Sequence, residues 1–319
     1  MTSVTSSKYF LSICIPAYKR IDYLKRLLDS IALQDYQDFE VVVADDSPDD
    51  FVRMLCAEYE NKFRLQYFKN SVNLGTPENW NAAITKASGE WIKLMHDDDW
   101  FYDTSSLGKF AAVAKEKGDG LIFSAYQNIF LDENRSELVF PPAFRMKLLA
   151  KDPATLLSRN IIGPPSVIMH PNNGKFSYDK KTKWVVDIDF YIRFLGSSTF
   201  HYVPDVLINV GMSQEQVTAS CSRVPDVEIP ENLYLMNKLG WNILRNLWVY
   251  DSLWRLLRNF KVRSVEDLRS NGYTDNVPAF IEKMIRTQSF WGWSLLSVGV
   301  FSKLTMLLSF ISSRKLIGS

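Results

Sequence analysis

Apolar residues over the first hundred positions follow two alternating patterns, which predict helices and strands in turn. Residues 21–31 have apolar positions three and four apart with charged residues between them, and 51–59 and 78–87 are also predicted helices. The other pattern is a short continuous β-prone run, found at Tyr9–Ile15, Phe39–Ala44, Leu65–Phe68 and Trp91–Met95. Because no hairpin signal separates these runs, we expect parallel strands joined by right-handed helical crossovers.

Polar residues follow three of the predicted strands at the point where each strand ends. They occupy 16–20, 45–50 and 96–99. The carboxyl ends of parallel strands meet at one edge of an open sheet, so these segments should line a crevice of the kind that binds a mononucleotide.

The last of these segments contains three consecutive aspartates, Asp97–Asp99. Three adjacent carboxylates would repel one another if they were buried without compensation. A hard divalent cation with oxygen ligands is the simplest explanation. A solvated acidic loop after a strand is the alternative.

Beyond Trp100 the pattern predicts a helix at 107–115, a strand at 120–126 and a short helix at 153–159 that Asp152 caps. Residues 132–145 contain two prolines and are expected to form a connecting loop. A turn then leads into a strand ending at His170. This lone histidine is interpreted as structural rather than catalytic.

Composition narrows the class of protein. The chain has 319 residues, 46% hydrophobic and 23% charged, which suits a folded protein with one large domain and a smaller one. A net charge of +1 gives no reason to expect a nucleic-acid partner. Three widely separated cysteines argue against a disulfide framework and a structural zinc site. The amino terminus lacks the apolar core of a signal peptide, so a cytoplasmic protein is expected.

Five short motifs over the first hundred residues carry a resemblance to a known family. They are Ile15–Arg20, Val42–Ser47, Asn73–Gly75, Ala87–Ile92 and His96–Asp99. In this order they resemble the nucleotide-sugar-binding half of glycosyltransferase family 2. The resemblance implies the α/β fold called GT-A, with a mostly parallel Rossmann-like sheet flanked by helices. It places a catalytic domain at 1–228, divided into a nucleotide-sugar half at 1–103 and an acceptor half at 104–228, before a helical C-terminal region at 229–319.

The resemblance also implies roles on the donor side. Asp46 would accept hydrogen bonds from the base, and Asp45 would orient the loop that carries it. A carboxylate suits an imide N–H, and an aromatic side chain such as Tyr18 can lie against a base. The predicted donor-binding residues are Pro16, Ala17, Tyr18, Arg20, Asp45, Asp46, Asn73, Gly75, Asp97 and Asp98.

By the same resemblance the three aspartates correspond to the family's Asp-x-Asp element, which holds Mn²⁺ or Mg²⁺ against the donor diphosphate. Asp99 is predicted as the direct ligand and Asp97 as the second, with Asp98 facing ribose or water. His96 stands where many relatives have another aspartate, so the register of ligation stays open. The chain also departs from the family at Trp80, where many relatives carry a phosphate-neutralising arginine.

On the acceptor side, Asp187 matches the family's general base at the start of a helix. An inverting transfer needs a carboxylate to take the acceptor hydroxyl's proton while the nucleotide leaves from the opposite face. Capping of the helix is the alternative role for Asp187. The predicted acceptor-side residues are Gly163, Pro164, Asp189 and Gln216. Ser213 stands where relatives carry a loop histidine.

The resemblance ends near Pro230. Residues 288–302 are uncharged and rich in aromatic and aliphatic side chains, but Lys303 and several serines make a poor membrane-spanning helix. We expect helices lying in a membrane interface, with Arg314 and Lys315 near anionic headgroups. A buried helical hairpin or a dimer contact is the alternative.

Together these features predict a metal-dependent inverting glycosyltransferase that uses a nucleotide-diphospho-sugar donor. The expected acceptor is a polysaccharide or a polyprenyl-diphosphate-linked oligosaccharide, as in the biosynthesis of lipopolysaccharide O-antigen, and the expected location is peripheral, at the inner face of the cytoplasmic membrane. Transfer to a capsule precursor or a protein is an alternative within enzymes. The rival from another class is a non-catalytic nucleotide-sugar-binding or scaffold protein.

Overall fold

The computed structural model describes residues 9–213 and 221–317. The chain divides into two compact units. The first comprises Met1–Ala150, Ile161–Lys180 and Asp189–Gln216, and the second comprises Lys151–Asn160, Lys181–Ile188 and Val217–Ser319. The domain boundaries predicted at 103 and 228 stay predictions.

A mixed sheet forms the centre of the first unit. Its strands are β1 Leu11–Ala17, β2 Phe39–Asp45, β3 Leu65–Lys69, β4 Trp91–Leu94, β5 Trp100–Phe101, β6 Leu121–Phe130, β7 Arg135–Val139, β8 Ile168–Pro171 and β9 Phe200–Met212. Their order is β3-β2-β1-β4-β8-β6-β9-β5, with β7 beside β6. The first four strands are mutually parallel, whereas β8 runs antiparallel to both β4 and β6. The predicted α/β class is confirmed.

Helices flank this sheet and connect its strands. They are α1 Ile21–Ala32, α2 Phe51–Ala57, α3 Glu78–Lys86, α4 Ser106–Lys117, α5 Ala143–Lys151 and α6 Val186–Leu195. The predicted apolar stripe of α1 is buried from Leu24 to Ile31. Every residue of β1 and β2 is also buried, as expected for parallel strands covered on both faces.

One segment differs from its prediction. Residues 132–145 are not simply a loop, because they contain β7, which pairs antiparallel with β6, and the start of α5. Asn134 adopts a φ of 46°, a left-handed conformation that asparagine tolerates and that allows the tight reversal. The predicted helix at 153–159 is a 3₁₀ turn, Pro153–Leu157, and Asp152 caps it by accepting from the Ala154 amide at 2.9 Å.

The Ser88-Gly89 step before β4 has a structural explanation. A Cβ on Gly89 would lie 2.6 Å from the carbonyl carbon of Leu11, because the two backbones meet at that point. The Gly89 amide donates to Ser12 Oγ at 2.8 Å, and Ser12 donates to Glu40 at 2.7 Å. This glycine therefore serves close backbone packing at the amino end of the sheet.

The second unit contains the predicted helical C-terminal extension. Its helices are α7 Pro225–Leu239, α8 Leu247–Asn259, α9 Val265–Ser270, α10 Ala279–Phe290, α11 Trp293–Leu296 and α12 Gly299–Ser313. Gly240, with a φ of 85°, ends α7 before a separate 3₁₀ turn at Trp241–Arg245. In the part of the chain that the structure describes, no helix has both the length and the apolar content needed to cross a bilayer.

Candidate active site

The loops after β1 and β2 are joined where the strands end. Ala17 pairs with Asp45, and the Asp46 amide donates to the Ala17 carbonyl at 3.0 Å. Buried Asn79 on α3 donates to the carbonyls of Ala17 and Ala44 at 3.3 and 3.1 Å. This one side chain holds both strand ends in place, and the sequence prediction missed it.

Asp45 is fully buried and is held by three donors. It accepts from the Ser47 amide at 2.7 Å, from Tyr67 Oη at 2.6 Å and from Lys69 Nζ at 3.1 Å. Burial, together with the Asp45 carboxylate, raises the pKa of Tyr67 and keeps its hydroxyl a donor. These contacts fix the turn that presents the next residue, Asp46.

Asp46 is held by a neighbouring turn of the chain. Its oxygens accept from Asn70 Nδ2 at 2.7 Å and from the amides of Leu74 and Gly75 at 3.1 and 2.8 Å. Gly75 has a φ of 70°, which glycine adopts without strain. Because a carboxylate offers about four lone-pair positions, Asp46 can accept one further hydrogen bond. Asn73 lies exposed beside this turn.

The loop after β1 carries one exposed ring and one engaged guanidinium. Tyr18 is 44% exposed and available for stacking. Arg20 pairs with both oxygens of Asp97 and donates to Asp98 at 3.1 Å. Burial raises the pKa of Asp97 to about 7, while Arg20 opposes that rise. Predicted donor-binding residues from two strand ends thus lie in direct contact, and Pro16 lies within β1 itself.

His96, Asp98 and Asp99 form a cluster suited to a cation. One potential ligand atom from each of these three side chains lies within 4.8 Å of the others. The structure thus groups Asp98, rather than Asp97, with Asp99, and it brings in the histidine. The predicted pair of Asp99 and Asp97 stays a prediction.

The chemistry of the cluster fits Mn²⁺ or Mg²⁺. His96 Nδ1 lies 4.0 Å from Asp99 Oδ2, and the buried Nε2 finds no hydrogen-bond partner within 9–213 and 221–317, so the imidazole can offer a nitrogen to a cation. Burial lowers the pKa of His96 to about 4, which leaves the imidazole neutral, the form that binds metal. A nitrogen beside two carboxylates suits Mn²⁺ better than the harder Mg²⁺.

Backbone contacts fix the remaining face of the cluster. Asp99 accepts from the Gly211 amide at 3.1 Å, and Arg26 donates to the Asp98 carbonyl at 3.1 Å. Any Cβ on Gly211 would come within 2.3 Å of that same carbonyl. Arg26 also stacks 3.8 Å over the Trp100 ring. The sequence prediction missed both Arg26 and Gly211, since nothing in the local pattern connects β9 or α1 with the aspartates.

Lys93 is a buried cation in the strand that leads to the cluster. Its Nζ donates to the carbonyls of Ser166 and Ile168, the second at 3.2 Å, and lies 4.8 Å from the centre of the Phe110 ring. Burial lowers the pKa of Lys93 to about 7, while Asp99 opposes this. The sequence prediction missed Lys93, although a lysine inside an apolar strand is unusual and could have indicated it.

Trp80 contacts the cluster in a way that the family pattern does not suggest. Its ring centroid lies 4.6 Å from that of His96 and 5.1 Å from that of Tyr178. The two departures from the family pattern, Trp80 and His96, are therefore in contact with each other. The uncharged tryptophan packs against the imidazole.

The acceptor-side residues of the first unit have structural partners. Gly163 has a φ of 111°, and a Cβ there would lie 2.7 Å from the Tyr126 ring. Pro164 leads into the 3₁₀ turn Pro165–Val167. Asp189 is buried and pairs with Arg193 one helical turn later at 2.6 Å. Gln216 lies outside the described residues.

Asp187 belongs to the second unit, near the first turn of α6. Its carboxylate is half-buried and accepts from the Ile188 amide and from Asn160 Nδ2, both at 2.9 Å. Burial raises the pKa of Asp187 to about 6, although these hydrogen bonds oppose the rise. Asp187 lies within the helix and accepts from the amide of the next residue, whereas a helix cap accepts from an amide two or three residues on. Its raised pKa gives it the basicity useful to a general base.

Glu231 on α7 holds the segment that precedes Asp187. Its carboxylate accepts from three consecutive backbone amides, those of Lys183, Trp184 and Val185, at 3.0, 2.8 and 3.2 Å. A carboxylate that accepts several backbone amides fixes the local chain direction. The sequence prediction missed Glu231 because it lies more than forty positions further along the chain.

Comparison with known proteins identifies the family. Residues 12–169 match the profile of Glycosyl transferase family 2. A protein of Mycobacterium tuberculosis is 26% identical over 187 residues, which are 57% of this chain and 52% of that protein. The chain therefore spans about half the length of the mycobacterial relatives that it matches.

Two solved structures share the fold. TarS 1-349 of Staphylococcus aureus in complex with UDP-GlcNAc has a TM-score of 0.57 at 18% identity, over 96% of this chain and 88% of that one. The mannosyltransferase PcManGT from Pyrobaculum calidifontis in complex with GDP-Man and Mn2+ has a TM-score of 0.55 at 13% identity, over 98% and 89%. Through residues 12–169 the chain therefore belongs to glycosyltransferase family 2, and its fold is similar to that of the GT-A glycosyltransferases.

Proposed function

We propose that the protein is an inverting glycosyltransferase that moves a sugar from a nucleoside diphosphate to an acceptor hydroxyl. One observation supports this most strongly. The carboxylates of Asp98 and Asp99 lie beside His96 at the carboxyl end of β4, and Arg20 from the end of the adjacent strand β1 pairs with Asp98, in a region that matches the family. The two structural neighbours are complexes with UDP-GlcNAc and GDP-Man, respectively.

The donor would be bound by the residues at the strand ends. Asp46 would accept a hydrogen bond from the base, and Tyr18 would stack on the base. The fixed Asp46 carboxylate and the exposed Tyr18 ring support these roles. Mn²⁺ held by His96, Asp98 and Asp99 would neutralise the diphosphate leaving group. Arg20, which pairs with both Asp97 and Asp98, would offset the negative charge of these two carboxylates beside the diphosphate.

Asp187 would act as the general base. In the reaction, the acceptor oxygen attacks the anomeric carbon, the carbon–oxygen bond to the diphosphate breaks, and the acceptor proton passes to the Asp187 carboxylate. The raised pKa of about 6 makes this carboxylate a stronger base than an exposed aspartate while leaving it ionised at neutral pH. Asn160 holds one of its oxygens in a fixed direction.

The acceptor proposed is a glycan or a polyprenyl-diphosphate-linked oligosaccharide, as in O-antigen synthesis, reached at the inner face of the cytoplasmic membrane. Capsule precursors and proteins are other acceptors for the same chemistry. Peripheral membrane contact through the helical C-terminal region belongs to this proposal.

The test is transfer from a panel of labelled nucleotide sugars, with and without Mn²⁺. The parent should release nucleoside diphosphate only with metal, and Asp99→Asn should lower the rate at least about 100-fold because removing a charge-stabilising group typically costs that much. Asp205→Asn is the matched control, since that exposed carboxylate pairs with Lys109. Donor binding without turnover by the parent would favour the non-catalytic alternative.

A further inference from the structure

In helix α12 several small polar side chains are buried and many apolar side chains are exposed, the reverse of an ordinary surface helix. Its small polar residues Ser302, Thr305, Ser309 and Ser313 are buried. Its exposed positions are apolar: Val300, Leu304, Leu308 and Ile311 are 74%, 56%, 68% and 69% exposed. Surface helices of globular proteins normally bury their apolar side chains and expose their polar ones.

Hydrogen bonds inside the second unit fix this orientation. Ser302 Oγ accepts from Trp254 Nε1 at 3.0 Å and from Arg258 at 2.9 Å. Ser309 Oγ lies 2.7 Å from the hydroxyl of Tyr250, which is itself fully buried. Turning α12 to bury its leucines would leave these polar groups without partners, at a cost in stability. The outward apolar face is therefore imposed by the fold.

The apolar face continues through the residues that precede α12. Phe290, Leu295 and Val298 are 79%, 46% and 53% exposed. Trp293 is 38% exposed, and its ring lies beside Lys261 Nζ at 5.1 Å. An exposed tryptophan next to a cation suits the headgroup region of a bilayer. We call the exposed apolar residues of 290–311 the apolar face.

Charge decides what kind of partner fits this face. From 283 to 317 the sequence has no aspartate or glutamate, and its charged residues are Lys283, Arg286, Lys303, Arg314 and Lys315. A second copy of the same face would bring like charges together. An anionic lipid surface offers both negative headgroups and an apolar layer below them.

We infer that the apolar face of 290–311 binds the surface of an anionic bilayer, with α12 lying parallel to the membrane plane. The leucines and Phe290 enter the acyl boundary, and Arg314 and Lys315 contact phosphates, whereas Lys303 is paired with Asp251. This deepens the membrane contact of the proposed function but does not depend on its chemistry. Its test therefore has no catalytic readout.

The experiment is co-sedimentation of the full chain with vesicles of phosphatidylglycerol and phosphatidylcholine, or of phosphatidylcholine alone. The parent should bind the anionic vesicles at least tenfold more tightly. The triple variant Leu304→Gln, Leu308→Gln, Ile311→Gln should weaken that binding at least tenfold. The charge variant Arg314→Gln, Lys315→Gln should reduce the preference for anionic vesicles.

The matched control replaces equally exposed apolar residues of the first unit, Leu33→Gln with Met54→Gln, which are 66% and 62% exposed. It should bind vesicles like the parent, and thermal melting should show all variants folded. Equal vesicle binding by parent and triple variant would overturn the inference, as would a parent that binds neither vesicle. Self-association of the parent that the triple variant abolishes, with vesicle binding unchanged, would assign the face to a second copy instead.

Discussion

Single carboxylates in this chain differ in how their partners are arranged. Asp45 and Asp189 are both fully buried and paired with cations, Lys69 and Arg193, so their roles are to fix backbone and helix. Asp187 has no paired cation in the described part of the chain, and amide donors alone hold it. This contrast is the residue-level reason for assigning the base to Asp187 rather than to Asp189.

The ionisation of Asp187 should control how kcat depends on pH. A protonated carboxyl cannot accept the acceptor's proton, so kcat should fall as pH decreases through about 6 and level off above it. Asp187→Asn should lower kcat by about 100- to 10,000-fold and remove the fall in kcat near pH 6, which is the acid limb of the profile. The donor KM should change little. The measurement is kcat against pH for both forms.

Asp189→Asn supplies the comparison for this prediction. It should lower thermal stability, because a buried charged pair with Arg193 is broken, but it should keep the pH limb near 6. A parent profile without a limb in that region would contradict the role of Asp187.

Two elements are positioned by contacts between segments distant in sequence. Gly89 allows β4 to lie against β1, and Glu231 on α7 holds the amides before α6. The first contact serves the fold of the first unit, whereas the second acts on the segment leading to Asp187. Substitutions should therefore affect stability in one case and turnover in the other.

Gly89→Ala should be strongly destabilising. Its Cβ would meet backbone atoms of Leu11 and Ser12 at 2.6 and 2.7 Å, and the backbone cannot yield without shifting a central strand. We expect a loss of about 1–3 kcal/mol in the free energy of unfolding, measured by urea denaturation. Gly299→Ala is the control, because a Cβ there meets no atom within 4 Å. Similar losses for both variants would refute the packing explanation.

Glu231→Gln is predicted to affect turnover more than substrate binding. Glutamine could keep an oxygen at the Oε2 position, which accepts from all three amides, but it loses the negative charge and places an NH2 donor where Oε1 accepts from Lys183, so the segment before Asp187 loosens. We expect kcat to fall about tenfold, in line with small displacements of catalytic groups, while the donor KM stays constant. In Glu231→Ala, kcat should fall further.

A matched control for this positioning role is Glu228→Gln on the same helix, whose carboxylate accepts from the Arg223 amide instead. Its kcat should equal that of the parent. If Glu231→Gln changed melting temperature alone, with kcat and its pH profile intact, the contact would be purely structural.

At the scale of the whole molecule, metal and nucleotide bound together should stabilise the folded state. A ligand that binds only the folded state raises the unfolding free energy by about 2.7 kcal/mol at 100 times its dissociation constant. Mn²⁺ with UDP or GDP should therefore raise the melting temperature by more than the sum of the separate shifts. Differential scanning fluorimetry over a panel of nucleotides measures this and identifies the base.

His96→Ala should remove most of that joint shift, since the imidazole supplies one of the three grouped ligand atoms. His201→Ala is the control, because His201 Nε2 lies 3.0 Å from the Asp119 carbonyl and does not belong to the cluster of His96, Asp98 and Asp99. A joint shift of unchanged size in His96→Ala would exclude the histidine as a ligand.

The sequence by itself determined the α/β class, the parallel run of the first four strands and the loops that hold the predicted donor-side residues. It could do so because apolar periodicity and strand-end polarity are local properties of the chain. The motifs around Asp46, the three aspartates and Asp187 were also readable, since each lies within a few consecutive positions. The exchange of Trp80 and His96 for the family's usual residues was visible as well.

Only the tertiary structure decided which groups meet. It placed His96 and Asp98 with Asp99, paired Asp97 with Arg20, and buried Lys93 where its charge interacts with that of Asp99. Contacts such as Gly211 to Asp99 and Glu231 to the amides before Asp187 join positions far apart in the chain. The outward apolar face of α12 was likewise undecided in the sequence, because the choice depended on which partners its serines found. Long-range pairing of buried polar groups is a property of the packed molecule, and no local pattern encodes it.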